Sequence, residues 1–95
     1  MYVGVMELNL ALRDNHSLKD KRSVIKRLMH RCCNAFNVAA AEVEDHDLPD
    51  RATIGIVTVG NDRRHLQGLL SKVEDFVERQ ALAELLDAPK TVDVW

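Results

Sequence analysis

The period of the apolar residues changes from two to about 3.6, and later does so again, and this repetition limits the fold more than any other feature. From residue 2 to 12 the pattern alternates. Tyr2, Met6, Leu8, Leu10 and Leu12 fall on one face with Gly4 among them, and Val3, Val5, Glu7, Asn9 and Ala11 fall on the other. That is a strand with one strongly apolar face. A polar turn follows at Arg13-Asp14-Asn15-His16. Ser17 then reads as a helix N-cap, with Asp20 three residues on as a variant of the capping box. The helix runs to about Asn34, with Leu18, Val24, Ile25, Leu28, Met29 and Cys32 on one side. Lys21 is the exception. Its direction lies inside the apolar arc, so its side chain must reach past the sheet edge to solvent or a carboxylate.

The second half repeats the scheme. Val38 to about Glu44 reads as a strand that becomes acidic, and Pro49 stops it from running on through the loop at 45–50. Ala52 to Val59 is a third strand, and Gly60-Asn61-Asp62 is a turn that caps the next helix. That helix runs to about Gln80 on a stripe of Leu66, Leu69, Leu70, Val73, Phe76 and Val77. Leu82 to Trp95 reads as one edge strand interrupted by Pro89. The order is strand, helix, strand, strand, helix, strand. Right-handed crossovers turn that order into the ferredoxin-like α+β sandwich, βαββαβ. It has four antiparallel strands, the first and third central, and both helices on one face. ACT-type and acylphosphatase-type domains share the order, so the fold alone names no function.

Ninety-five residues suffice for one domain. No apolar run approaches the ~20 residues of a membrane span, and the N-terminal residues read as strand rather than as a signal peptide, so a cytoplasmic setting is expected. The net charge of −2 hides two patches. Between Arg13 and Arg31 stand seven Lys or Arg against two Asp, and between Glu42 and Asp50 stand five acids and no Lys or Arg. Lys19, Arg22, Lys26, Arg27, His30 and Arg31 cover the outer side of the first helix. A merely solvated helix face mixes signs, with acids at i±4. None occurs from Lys21 to Arg31. Such a face suits a phosphate backbone.

Other clusters are weaker. The topology brings Arg13, Asn15, His16, Lys21, His46 and Asp47 towards one end, where a surface salt-bridge cluster outweighs a metal or catalytic site for want of ligand spacing. At the other end, Arg63 and Arg64 open the second helix beside free N–H groups, although Asp62 opposes an anion there. Cys32 and Cys33 are adjacent on a helix, which strains a bridge between them; Cys32 suits the core and Cys33 partial exposure. Phosphate-cradling glycine loops, HExxH, paired CxxC and a nucleophile elbow are absent, so no catalytic residue, cofactor or metal is assigned. The outer sheet face offers Val3, Val5, Ala11, Val57 and Val59 rather than aromatics. That excludes base stacking on the sheet and suits a partner's surface, a second copy among the candidates.

At His16-Ser-Leu-Lys-Asp-Lys-Arg-Ser-Val the chain resembles the YlxP-like family of small uncharacterised bacterial proteins. The likeness extends through the opening Tyr-Val-Gly-Val, Phe36-Asn37-Val38 with Ala41-Glu42-Val43, Arg51-Ala52-Thr53-Ile54-Gly55 and Gly60-Asn61-Asp62. It implies a ferredoxin-like fold and carries no established activity or catalytic residue. The genes of such proteins often neighbour those of transcription, translation-initiation and ribosome-maturation factors, which implies work near RNA or the ribosome. Leu48-Pro49-Asp50 departs from the aromatic and glutamine that relatives often carry in that hairpin.

Two functions are therefore expected. The first is a non-enzymatic RNA- or ribosome-associated protein that binds phosphate through Lys19, Arg22, Lys26, Arg27, His30 and Arg31, with Arg63 and Arg64 secondary. The alternative is a homo-oligomeric interaction module that uses the open sheet face, with the basic and acidic patches complementing one another between copies and no nucleic-acid binding. A small-ligand sensor ranks last, for lack of a ligand loop.

Overall fold

The computed structural model describes residues 1–14 and 17–95. The elements are β1 (Tyr2–Ala11), α1 (Leu18–Ala35), β2 (Ala39–Glu44), β3 (Arg51–Gly60), α2 (Arg63–Gln80), β4 (Glu84–Asp87) and β5 (Lys90–Val94). β1 pairs antiparallel with β3 along its whole length, from Tyr2 opposite Gly60 to Ala11 opposite Arg51. β2 lies antiparallel on the far side of β3, and β4 and β5 share the other edge of β1. β1 and β3 are central, as the alternation requires, and the α+β fold is ferredoxin-like.

The last segment differs from the expectation of one edge strand. It is two strands, so among the described residues the sheet has five rather than four. Pro89 has no N–H to give to a ladder. Its carbonyl still accepts from Glu7 N–H at 3.0 Å, which carries the pairing with β1 across the break.

The inward residues of β1 and β3 meet both helices on one side of the sheet. Met6, Leu8 and Leu10, with Ala52, Ile54 and Ile56, pack against Ile25, Leu28 and Cys32 of α1 and Leu66, Leu70, Val73 and Val77 of α2. Burying each large aliphatic side chain contributes about 1.5–3 kcal/mol. Glycine at position 4 lets α2 settle onto β1, since a Cβ there would stand 3.0 Å from Thr58 Cγ2 and 3.2 Å from Leu70 Cδ1. The helix starts are capped as their sequences indicate. Ser17 Oγ accepts from Asp20 N–H and Asp62 Oδ1 accepts from His65 N–H, each at 3.1 Å. The rings of Phe36 and Phe76 meet edge to face, with centroids 5.3 Å apart, where α1 ends against α2.

Lys21 is fully buried. At about 100° per residue it points between Leu28 and Cys32, into the middle of the face that α1 turns inward. Its carboxylate partner comes from β2. Glu42 pairs with Ile54, an inward position, so its side chain enters the helix layer beneath α1. The ladder then shifts register between Glu42 and Glu44, and Val43 turns to the outer face. Lys21 Nζ stands 3.0 Å from Glu42 Oε2, an ion pair whose orientation lies outside hydrogen-bond geometry. The ammonium donates instead to two carbonyls of the β2–β3 connection, Asp45 O at 2.5 Å and Leu48 O at 2.7 Å. Asp45 has a left-handed backbone (φ 61°), and its carbonyl also accepts from Leu48 N–H at 3.1 Å. Lys21 thus does find a carboxylate, but inside the protein, and no part of it reaches solvent.

Removing one member of such a buried pair leaves the other charge uncompensated, at a cost of about 3–5 kcal/mol. Lys21→Met should therefore lower the melting temperature by more than about 10 °C in a domain of this size. Adding Glu42→Leu should recover part of that loss, because the stranded carboxylate goes with it. Thermal denaturation followed by circular dichroism checks both; an unchanged melting temperature in Lys21→Met would show that the clamp carries no stability.

Candidate functional site

The outer surface of α1 is what remains once Lys21 is committed to the interior. Lys19, Arg22, Lys26, Arg27, His30 and Arg31 are all exposed. Lys19, Lys26 and His30 project in nearly the same direction and form a ridge about 17 Å long. Arg22 flanks it on one side, Arg27 and Arg31 on the other. Among the described residues none of the six has a carboxylate within 4 Å; the ion pairs are Arg13–Glu84, Lys21–Glu42 and Lys90–Glu74. Arg31 Nη1 donates to Gln80 Oε1 of α2 at 2.8 Å, which fixes the guanidinium without neutralising it.

The stability of α1 does not account for these charges. The helix macrodipole favours acids in the first turn and bases in the last. Here Asp20 is the first-turn acid, no base stands in the last turn, and Lys19 and Arg22 lie near the N-terminal end. Arg22 with Lys26, and Arg27 with Arg31, are like-charged i, i+4 neighbours. Each such pair costs roughly 0.2–0.5 kcal/mol. The face is mildly unfavourable to the helix that displays it.

The acidic hairpin does not cover this face. Glu42 turns inward to Lys21, and Glu44, Asp45, Asp47 and Asp50 are exposed without a basic partner among the described residues. The expected cluster at this end is only partly assembled. Lys21 reaches the 45–48 loop, His46 Nε2 lies 3.1 Å from Glu42 O, and Arg13 pairs instead with Glu84 on β4. The Arg13 hydrogen bond holds the Glu84 carboxyl below its usual range, against a smaller opposing effect of desolvation. Asn15 and His16 lie outside the described residues. Among the described residues the one ion pair that joins α1 to the hairpin is buried, where a surface cluster is the expectation from sequence. Among the described residues no three His, Cys, Asp or Glu side chains gather as metal ligands.

Arg63 and Arg64 are not brought to the α1 face. Arg31 meets Gln80 at the C-terminal end of α2, while Arg63 starts that helix, roughly 25 Å away along the axis. Arg63 Nη1 donates to Val92 O at 2.6 Å, and its guanidinium lies over the Tyr2 ring, 5.1 Å from the centroid. It ties α2 to β5 and β1. Asp62 already supplies the negative charge at the start of α2, and Arg64 stands exposed beside it.

On the outer sheet face, Val5, Val57 and Val59 are exposed and Val3 is half-buried. Ala11 does not join them. It is buried between its register partners Arg51 and Glu84, whose longer side chains flank it. Val43, which sequence reasoning left out, does join. The register shift turns it outward against Gly55, where a Cβ would stand 3.1 Å from Val43 Cγ1.

With this geometry in place, comparison with known proteins decides the family. Residues 3–89 match the family described as "Protein of unknown function (DUF503)". The chain belongs to that family. It is 35% identical over 80 residues to the uncharacterized protein YlxP of Bacillus subtilis (strain 168), covering 80% of this chain and 87% of that one. The fold resembles a de novo designed protein with ferredoxin fold, at a TM-score of 0.61 and 11% identity over 100% of this chain and 87% of that one. It also resembles the structural-genomics protein YJCS, at a TM-score of 0.53 and 14% identity over 97% and 98% of the two chains. SnoaB, a cofactor-independent oxygenase from Streptomyces nogalater, gives a TM-score of 0.50 at 10% identity over 99% and 92%. At such identities the likeness is one of fold alone. No helix among the described residues is long and apolar enough to cross a membrane.

The stretch from Ser17 to Arg22 divides into two tasks. Ser17 caps α1 and Lys21 clamps the hairpin, whereas Lys19 and Arg22 point outward. The cysteines divide as well. Cys32 is buried in the core, and burial, with a smaller contribution from Cys33, pushes its thiol up to about 11; Cys33 is exposed. A maleimide reagent at neutral pH should therefore modify one thiol per folded chain, at Cys33, and two in denaturant. Rapid modification of Cys32 in the folded protein would contradict the packing of α1 described above.

Proposed function

We propose that the protein is a non-enzymatic, cytoplasmic RNA- or ribosome-associated module that holds the phosphate backbone with the outer face of α1. One observation carries the reading: six exposed basic or histidine side chains share the outer side of α1 with a single acid, Asp20, and among the described residues none of the six has a carboxylate within 4 Å, at a small cost to the helix itself. Charge retained against local stability needs a partner, and a polyanion is the partner that matches its sign. The genomic setting implied by the family resemblance points the same way.

The reading involves phosphate rather than bases. The ridge of Lys19, Lys26 and His30 has no Asn or Gln within it to read base edges. An α-helix does not enter the narrow major groove of A-form RNA, so α1 would lie across the backbone or the shallow minor groove. Neutralising some four to six phosphates gives a slope of log K against log salt of about −3 to −5. Arg63 has no part in this contact, being bound to Val92 O, and Arg64 lies too far along α2 to extend it.

The test is the double charge reversal Lys26→Glu with Arg27→Glu. RNA affinity, measured by fluorescence anisotropy, should fall at least about tenfold, and the salt slope should flatten by about two. The melting temperature should hold or rise, because repulsion on α1 is relieved. Unchanged affinity and slope in a folded double variant would refute the reading.

A further inference from the structure

We propose that the outer face of the sheet is a docking surface for a second copy of this chain, the two sheets packing face to face. The strand register defines the patch. Val59 stands opposite Val3, and Val57 opposite Val5 on one side and Ala39 on the other. The next rung brings Ala41 against Gly55, with Val43 filling the space above the glycine. Val5, Val57, Val59 and Val43 are 40, 41, 54 and 47% exposed. At the other end of the patch Trp95 N–H donates to Met1 O at 2.8 Å, and strand alternation puts both residues on the side of Val3. Met1 is 60% and Trp95 85% exposed.

Shape, area and charge commit this patch to a copy of itself. Its three strands carry valine, alanine and glycine there, a low relief that suits another sheet about 10 Å away better than an inserted helix or aromatic anchor. The eight outward positions of the apolar half, each taking about 4.8 by 6.8 Å of sheet, give roughly 260 Å² per copy. Two such faces, with the exposed Met1 and Trp95 of both copies added, bury about 1,000 Å², the lower bound for a specific interface. The other half of the face is polar and carries more acids than bases, with Glu7, Asn9, Thr53 and Asp87, Arg51 and Glu84 on either side of Ala11, and Asp93 at the rim. A polyanion is repelled from it. A two-fold axis in the interface plane and perpendicular to the strands lays apolar half on apolar half and carries the two acidic halves to opposite ends. The basic faces of α1 stay outermost on both copies, so this dimer and the proposed RNA contact use different surfaces and fail independently.

Sedimentation of the intact chain, from low micromolar to millimolar concentration, tests the proposal. A monomer–dimer equilibrium that persists or tightens in molar salt is expected, since apolar contact is not screened. Val59→Lys and Val5→Lys, at positions exposed in the protomer, should each weaken dimerisation by at least about 100-fold while keeping the wild-type circular dichroism spectrum. Lys26→Glu with Arg27→Glu should dimerise as wild type does. A chain that is monomeric throughout overturns the proposal. So does a dimer that dissociates in salt, or one that survives both valine variants.

Discussion

The architecture of this protein hinges on one buried ammonium. Lys21 enters the core from α1 and holds three groups distant from it in sequence: the Glu42 carboxylate and the carbonyls of Asp45 and Leu48. These groups belong to β2 and to the loop that joins it to β3, so a single side chain fixes the first helix, an edge strand and the acidic hairpin relative to one another. Polar groups at this depth are costly unless satisfied, and here the carbonyls and the ammonium satisfy each other. The register shift after Glu42 serves the same contact. It follows the residue whose carboxylate faces inward and turns its neighbour Val43 to the outer sheet face.

The clamp also sorts the cations of α1. A helix with seven basic or histidine side chains from Lys19 to Arg31 has one of them directed inward, and that one meets the only hairpin acid that turns inward among those described. The remaining hairpin acids are exposed and, among the described residues, pair with no base of α1, and the remaining bases keep the outer face. The charge asymmetry of the sequence therefore survives folding as two separate surfaces. The stretch from Ser17 to Arg22 serves both purposes, since capping and clamping residues alternate with outward-facing ones.

Much of the fold was legible because it depends on local periodicity. The alternation of β1, the stripes of both helices and the caps at Ser17 and Asp62 each involve residues within a few positions of one another. The basic face was legible for the same reason. What escaped depends on contacts between distant segments. Lys21 was recognisable as out of place on its helix, but its carbonyl partners at Asp45 and Leu48 came from a turn whose backbone conformation no pattern specified. Arg63 looked like half of an anion site until β5 supplied Val92 O. Pro89 was visible as an interruption, whereas the carbonyl bond from Glu7 that lets pairing resume beyond it was not. Val43 joined the outer sheet face only through a register shift, which alternation alone cannot foresee.

We propose that the face of α1 left free by the Lys21 clamp is where the phosphate backbone binds. Nuclear magnetic resonance of the isotopically labelled protein, titrated with RNA at low salt, tests it residue by residue. Shifts are expected at Lys19, Arg22, Lys26, Arg27, His30 and Arg31, with the Lys21 ammonium and the outer valines of the sheet unchanged. Shifts centred on the sheet face or on the start of α2, with α1 silent, would contradict it.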